Sequence, residues 1–392
     1  MSARGKIEYM LKHNPWILTT FETIGSALFR FLGHFIKTDE NLVLLCSYSG
    51  KNYNDSPRAI YEKMLKDPRC KDFQYVWAML EPGKIDIPGN CDQVKIDTWS
   101  YFKTALKAKV WITNVNIERG LRFKKKNQYY LNTWHGASMT WVGNAMPGRN
   151  DFHWGYVDGF CYSGEYEREI VKQCFDIVDE HLLPTGIPRN DDLYTVDDER
   201  VKRIKKELNI PADKKVILYA PTWRESSDNG ATCDIAPPIH IEKWRERLAD
   251  EYVLIFRAHH NTKEMLGIEY DDFVRNGSDY PIVNDLMVIS DFLVSDYSGI
   301  VNDFSILCRP IAEFGYDYEE YVKTRGFFWS LDEEVPSGLL HTEDEVLDYI
   351  TKCDYASECE KVRAFRDKFM EYGGRASEQC IDAILKGIGK TK

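Results

Sequence analysis

The feature that most restricts the fold is a regular alternation of short apolar runs and amphipathic helical segments from residue 41 onward. Apolar runs at 41–48, 73–79, 109–113, 129–134 and 157–162 predict strands, and helical stretches at 57–65, 99–107 and 165–174 separate several of them. Strands that alternate with helices in this way are typical of a doubly wound, mainly parallel sheet.

A second series of the same kind follows a polar stretch at 188–198 and a charged helix at 199–208. Strands are predicted at 216–220, 252–258, 291–295 and 310–314, and helices at 241–248, 299–307 and throughout 343–385. The predicted fold class is therefore α/β, with two Rossmann-like domains that face a cleft. We expect a separate N-terminal segment at 1–40, one domain at 41–198 and a second domain at 199–392.

Composition excludes several classes of protein. A net charge of −11 over 392 residues argues against nucleic acid as a partner, because such partners need a basic face. Ten cysteines show no C-x-x-C spacing, which indicates free thiols in a reducing cytosol. We found no apolar run of about eighteen residues, and a cleavable secretory signal is not expected.

The first forty residues differ from the rest of the chain. Apolar residues recur there at helical spacing, and basic residues stand nearby: Ile17, Phe21, Ile24, Leu28, Phe31 and Phe35, with Arg4, Lys6, Lys12, Arg30 and Lys37. One interpretation is an amphipathic helix that lies in the plane of a membrane. The other is a helix docked on the protein's own core.

Two histidines follow predicted strands, where open α/β sheets bind their ligands. His135 is followed by Gly136, which allows a sharp turn, and His259 follows Arg257 at the end of an apolar strand. Each histidine can exchange protons or donate to a phosphate. Taken alone, a histidine at a strand end is also an ordinary structural hydrogen-bonding residue.

Three further motifs place anion-binding groups at chain turns. Arg189 follows the last strand of the first half, and Thr222, Trp223 and Arg224 follow the strand at 216–220. Ser298 and Gly299 begin a predicted helix whose free N–H groups suit an anion, and Asp303 stands one turn further on. The plainer alternatives are an exposed linker arginine, a core tryptophan and a simple helix cap.

As a set, these motifs resemble those of the CDP-glycerol glycerophosphotransferase family, which builds teichoic acids and related capsules. The resemblance runs from about residue 40 to 375. It rests on five motifs: Trp134-His-Gly136, Gly186-Ile-Pro-Arg-Asn190, Ala220-Pro-Thr-Trp-Arg224, Arg257-Ala-His259, and Ser295-Asp-Tyr-Ser298 with Asp303.

The resemblance implies a GT-B fold and transfer of glycerol phosphate from CDP-glycerol to a lipid-linked glycan or growing polymer, with release of CMP. It also implies that the domain at 41–198 receives the acceptor, that the domain at 199–392 binds the CDP-polyol, and that the segment at 1–40 holds the protein peripherally on the cytoplasmic, anionic face of the membrane. No cofactor is expected, and nothing in the sequence requires a bound metal, since no D-x-D stands at the end of a predicted strand. His135 and His259 match the family's two essential histidines, and their roles as base and charge stabiliser are interchangeable at this point. Donor contacts are implied for the remaining motif residues: Gly136, Ala137, Ser138, Arg189, Thr222, Trp223, Arg224, Arg257, Ser298, Gly299 and Asp303.

The sequence departs from the family pattern after the first histidine. The family usually continues His-Gly with Thr-Pro-Leu-Lys, whereas this chain has Ala137-Ser-Met-Thr140. The Pro expected after the second histidine is His260, and a second Ser is replaced by Gly299. Together these departures leave CDP-ribitol or another CDP-polyol open as the donor. Two other functions stay open: a GT-B glycosyltransferase or epimerase that uses a nucleotide sugar, and a non-catalytic nucleotide-binding module at a membrane.

Overall fold

The computed structural model describes residues 14–222, 238–258 and 267–390, and two parallel β-sheets organise its backbone. Seven strands form the first sheet: β1 (Asp39–Cys46), β2 (Gln74–Met79), β3 (Cys91–Lys95), β4 (Ala108–Thr113), β5 (Tyr129–Asn132), β6 (Gly159–Cys161) and β7 (Leu182–Leu183). Six form the second: β8 (Lys215–Ala220), β9 (Tyr252–Phe256), β10 (Val274–Asn276), β11 (Phe292–Ser295), β12 (Ile311–Phe314) and β13 (Leu339–Leu340).

Both sheets have the strand order of a doubly wound fold. The first runs β3-β2-β1-β4-β5-β6-β7 and the second β10-β9-β8-β11-β12-β13, and every pairing between neighbours is parallel. The order reverses between β1 and β4 in the first sheet, and between β8 and β11 in the second. Such reversal points are where this class of sheet binds ligands, beyond the carboxyl ends of the strands.

Helices cover both faces of each sheet. The described helices are α1 (Pro15–Phe35), α2 (Asp55–Met64), α3 (Trp99–Lys107), α4 (Glu165–Phe175), α5 (Asp198–Glu207), α6 (Ile241–Leu248), α7 (Val283–Ile289), α8 (Ile300–Ser305), α9 (Tyr318–Thr324), α10 (Leu331–Glu334), α11 (Glu343–Lys352), α12 (Tyr355–Phe369) and α13 (Ala376–Gly387). Local sequence sets several starts: the Thr98 side chain caps α3, and Thr342 with Glu345 forms a capping box on α11.

All nine predicted strands are present, and the parallel α/β architecture is confirmed. Four of the described strands were not predicted, and each lies at the edge of its sheet: β3, β7, β10 and β13. Edge strands are short and partly polar, so the apolar signal that marked the central strands is weak there. The predicted continuous helix at 343–385 is instead three helices, because Asp354 caps a new start and Gly373-Gly374 interrupts the chain.

The N-terminal helix α1 has two apolar faces. Phe29, Leu32 and Ile36 pack on the core of the first sheet, where the ring centroid of Phe29 lies 4.5 Å from that of Phe102. The stripe recognised in the sequence lies on the outer side, and its described members are exposed: Phe21, Ile24, Leu28, Phe31 and Phe35. Docking on the protein's own core therefore accounts for one face of the helix and leaves the other uncovered within the described residues.

The last helix, α13, returns to the first sheet. Cys380, Ile381 and Ile384 are buried in the core beneath β1 and β4, together with residues of α2. A Cβ added at Gly387 would lie 2.2 Å from the Tyr129 ring, so only a glycine at this position allows the helix to pack so close to β5. By sequence position α13 follows the second sheet, but its apolar face belongs to the first.

Candidate active site

A cleft of about 1310 Å³ lies where the reversal points of the two sheets meet. Tyr48 follows β1, His135 follows β5, and Ser298 and Gly299 follow β11. Arg189, Arg257 and Asp303 line the same cleft. The structure thus brings together six of the residues singled out in the sequence: His135, Arg189, Arg257, Ser298, Gly299 and Asp303.

His135 is held on a tight turn after β5. Its neighbours Trp134 and Gly136 have φ angles of 51° and 153°, which turn the chain sharply beyond the strand. The Nδ1 atom lies 3.0 Å from the carbonyl oxygen of Asn114. Because a carbonyl oxygen accepts and cannot donate, Nδ1 carries the ring proton and Nε2 keeps a free lone pair.

Burial lowers the pKa of His135, although the hydrogen bond to Asn114 and the nearby Asp55 carboxylate act in the opposite direction. The imidazole is therefore neutral at pH 7. A neutral ring with a fixed tautomer is the form that a general base requires.

Arg189 joins the two halves of the cleft. Its Nη1 donates to Asp55 Oδ2 at 2.6 Å and to the carbonyl oxygen of His135 at 2.7 Å, and its Nη2 donates to Asp303 Oδ2 at 2.6 Å. Asn190 also donates to Asp303, at 2.5 Å. The phosphate-binding role predicted for Arg189 would thus require a donor phosphate to share or displace two carboxylates.

Ionisation in this cluster follows from the contacts. Burial acts to raise the pKa of Asp55, but the Arg189 guanidinium and hydrogen bonds from Ser56 and Tyr48 outweigh it, and that pKa is lowered. The two carboxylates hold the pKa of Arg189 well above its ordinary value despite burial. Asp55 and Arg189 are consequently a charged pair at neutral pH, and together with Asp303, which accepts from the same guanidinium, they form a buried triad.

The segment after His135 is fixed by buried contacts. A Cβ at Gly136 would lie 3.3 Å from Arg189 Nη2, and a Cβ at Gly299 would lie 3.4 Å from the carbonyl oxygen of Ala137. The Ser138 amide donates to Glu167 Oε1 at 2.8 Å. Ala137 and Ser138 are buried and outside the lining of the cleft, so they shape the loop and do not border its open space.

In the second sheet, Thr222 and Ser298 are held through Asp296. The Thr222 amide donates to Asp296 Oδ1 at 2.6 Å, and the Ser298 amide donates to the Asp296 carbonyl. Arg257 Nη1 donates to the carbonyl oxygens of Gly277 and Tyr280 at 2.6 and 2.8 Å, and burial lowers its pKa. Helix α8 spans six residues, Ile300–Ser305, and is shorter than predicted, so its dipole contributes less to anion binding than expected.

Three residues singled out in the sequence, Trp223, Arg224 and His259, lie outside the described residues. Sequence reasoning missed Tyr48, Asp55 and Glu167. Tyr48 ends a predicted strand, so the strand-end rule that selected His135 would have found it. Asp55 and Glu167 carry no such signal, since each is tied to the site by contacts with distant residues. Within the described ranges, no cluster of three or more metal-ligating side chains is present.

Comparison with known proteins identifies the family of this chain. Residues 28–386 match the family model "CDP-Glycerol:Poly(glycerophosphate) glycerophosphotransferase". A teichoic acid glycerol-phosphate transferase of Staphylococcus aureus is 31% identical, over 98% of this chain and 100% of its own length. A teichoic acid poly(glycerol phosphate) polymerase of Staphylococcus epidermidis is 34% identical over 87% of this chain, which spans half of that polymerase.

A solved structure of a teichoic acid polymerase has a similar fold over the whole of this chain. A variant of the wall teichoic acid polymerase TagF soaked with CDPG aligns with a TM-score of 0.83 at 29% identity, over 100% of this chain and 99% of the solved chain. The family model matches most of the length of this chain, including both parallel sheets and the strand-end motifs. The chain belongs to the CDP-glycerol:poly(glycerophosphate) glycerophosphotransferase family.

Proposed function

We propose that the protein transfers glycerol phosphate from CDP-glycerol to a hydroxyl group of a teichoic-acid-like acceptor and releases CMP. The acceptor oxygen attacks the phosphorus that carries glycerol, the bond from this phosphorus to the bridging oxygen breaks, and CMP leaves with that oxygen. The hydroxyl proton passes to a base of the protein. The observation that supports this most strongly is His135, neutral and tautomer-fixed, in the cleft between the two sheets.

His135 takes the acceptor proton at Nε2, and its Nδ1–H keeps the ring oriented on the Asn114 carbonyl. Arg257 supplies positive charge to the donor's diphosphate from the side of the second sheet. His259, proposed from the sequence motif alone, shares that task with Thr222, Trp223 and Arg224. If kcat/KM declines with an acidic limb centred above pH 7, His259 is the base and His135 stabilises charge on the donor.

Arg189 and Asp303 act at the boundary between acceptor and donor. Asp303 would bind polyol or ribose hydroxyls, and Arg189 would contact a phosphate once Asp303 turns to the ligand. Ser298 and Gly299 border the cleft and would contact the donor, whereas Gly136, Ala137 and Ser138 would act by holding the turn after His135 beside Gly299.

We assign residues 41–198 to an acceptor domain and 199–392 to a CDP-polyol-binding domain of a GT-B arrangement, with α13 packed across onto the first. No cofactor or metal has a role in this proposal. CDP-ribitol stays a second candidate donor, because the chain departs from the family pattern at Ala137-Ser-Met-Thr140, where the family lysine is absent.

The outer stripe of α1 supports attachment to a membrane surface that holds the acceptor. Over the described residues, none of the helices combines the length and hydrophobicity needed to cross a bilayer. An amphipathic helix with exposed Phe31 and Phe35 at its end suits insertion into the headgroup region of an anionic leaflet. We propose that this is the cytoplasmic leaflet, where CDP-glycerol is available.

Nucleotide release from a panel of donors tests the proposal. Purified protein is incubated with an acceptor and with CDP-glycerol, CDP-ribitol or a UDP-sugar, and CMP or UDP is quantified. We expect CMP from CDP-glycerol at the highest kcat/KM and no UDP. UDP release would favour the glycosyltransferase or epimerase alternative. Saturable CDP-glycerol binding without CMP release would favour the non-catalytic module.

A further inference from the structure

The cleft extends well beyond the residues that surround His135. Its volume of about 1310 Å³ exceeds the roughly 300–1,000 Å³ typical of a pocket for one small ligand. One side of α2 borders it at steps of three and one, through Asp55, Arg58, Ala59, Glu62 and Lys63. Lys66 borders it from the turn two residues beyond the helix end. From Asp55 to Lys63 this face runs for about 12 Å along the helix axis at 1.5 Å per residue.

Along this part of the cleft the acidic side chains have partners, whereas three lysines make no ion pair within the described residues. Each acidic side chain that lines the cleft is already paired with an arginine or bound by backbone N–H groups: Asp55, Glu62, Asp191, Asp192, Asp285, Asp303 and Glu378. Lys51, Lys63 and Lys66 are exposed, and within the described part of the chain none of the three makes an ion pair. Arg203 and Arg375 are exposed at the same cleft, but each is paired with a carboxylate, Glu207 and Glu378 respectively, so the excess positive charge comes from the three lysines. A chain with a net charge of −11 therefore presents unbalanced positive charge here.

We propose that this lysine face, defined as Lys51, Lys63 and Lys66, binds the phosphodiester backbone of the acceptor chain whose end reaches His135. The inference rests on the proposed function and adds to it the path of the acceptor: the linear polyol-phosphate polyanion lies along α2. Lysines suit such a partner, because a flexible ammonium can follow phosphates whose positions vary along a mobile polymer.

The donor is a less suitable occupant of the lysine face. Its diphosphate is attacked at the His135 end, which the Arg189–Asp55 ion pair joins to the start of α2. Lys63 lies two helical turns further along. The two phosphates of a single donor are adjacent, so they cannot contact His135 and Lys63 at the same time. A polymer carries one phosphate in each unit and can contact lysines along the whole length of α2.

Direct binding tests the inference without any need for turnover. A fluorescently labelled short glycerol-phosphate oligomer is titrated with the full-length protein and followed by anisotropy at low and high salt. We expect saturable binding that weakens with salt. We further expect binding on the order of ten-fold weaker in the triple variant Lys51→Gln, Lys63→Gln, Lys66→Gln.

A matched control is the triple variant Lys103→Gln, Lys352→Gln, Lys386→Gln, which removes three exposed lysines elsewhere and should bind like the wild type. Calorimetric titration of CDP-glycerol should give the same affinity in all three proteins. Equal oligomer binding by the two triple variants, or no binding by the wild type, overturns the inference. Oligomer binding without transfer would instead contradict the proposed function and leave the lysine face standing.

Discussion

Among single residues, Arg189 has the contacts with the widest consequences. It bonds Asp55 of α2, the carbonyl oxygen of His135 and Asp303 of α8, and so connects elements of both sheets while buried itself. The sequence singles out this arginine because Gly186 and Pro188 shape a tight connection around it, and the structure shows that it is largely buried and not an exposed linker residue. It does not reveal the partners, since Asp55 lies 134 residues away and Asp303 lies 114 residues away.

Replacing Arg189 with Met should destabilise the protein strongly. Two buried carboxylates would lose their countercharge, and breaking a buried ion pair from one side costs about 3–5 kcal/mol. Urea unfolding at neutral pH measures the change. Arg149→Met serves as the control, because the Arg149–Asp151 pair is exposed and should contribute less than about 1 kcal/mol. A loss no larger than that of the control would show that the triad is dispensable for folding.

The lowered pKa of His135 gives a pH prediction with a definite sign. The neutral ring is the active base, so activity is retained above its pKa and lost as pH falls through it. Because burial moves this pKa below the ordinary value of 6.5, kcat/KM for CMP release should be level at neutral pH and decline only below about 6.5. An acidic limb centred above pH 7 would contradict His135 as the base and favour His259.

At the level of secondary-structure elements, the sequence pattern of α1 predicts the helix but not the face by which it packs on the core. The 3.6-residue period correctly predicts a helix and an apolar stripe. It does not identify which face docks, because Phe29 and Leu32 form a second apolar face that packs on Phe102 and Leu106. Only the packing distinguishes the inner face from the exposed one.

The exposed face of α1 should drive membrane attachment. The double variant Phe31→Ser, Phe35→Ser removes two exposed rings, and we expect its affinity for phosphatidylglycerol vesicles to fall on the order of ten-fold or more. Vesicle co-sedimentation measures this loss, and the melting temperature should stay unchanged because neither ring is in the core.

Leu65→Ser, Val322→Ser is the matched control for α1, since both side chains are exposed and lie outside that helix. It should sediment with vesicles as the wild type does. Equal vesicle binding by the two double variants would argue that α1 is not the membrane anchor and that its outer face is covered by another partner.

For the whole molecule, the repeating pattern of strands and helices was enough to predict two parallel sheets, because central strands are buried on both faces and read as unbroken apolar runs. The path of α13 back to the first sheet was not predictable in the same way. Its buried face, with Cys380, Ile381 and Ile384, looks in the sequence like that of any amphipathic helix. The cleft is formed by packing of this kind between residues far apart in the chain. The motifs that line it could therefore be recognised in the sequence, whereas the contacts between those motifs could not be predicted.

The central claim is that this cleft transfers glycerol phosphate with His135 as an essential group. The most direct measurement follows glycerol-labelled CDP-glycerol into acceptor with the wild type and with His135→Gln, together with calorimetric donor binding. We predict incorporation equal to CMP release for the wild type, and a loss of about 10²–10⁴-fold in the variant with donor affinity retained. Near-normal incorporation by His135→Gln, or CMP release without incorporation by the wild type, would contradict the account.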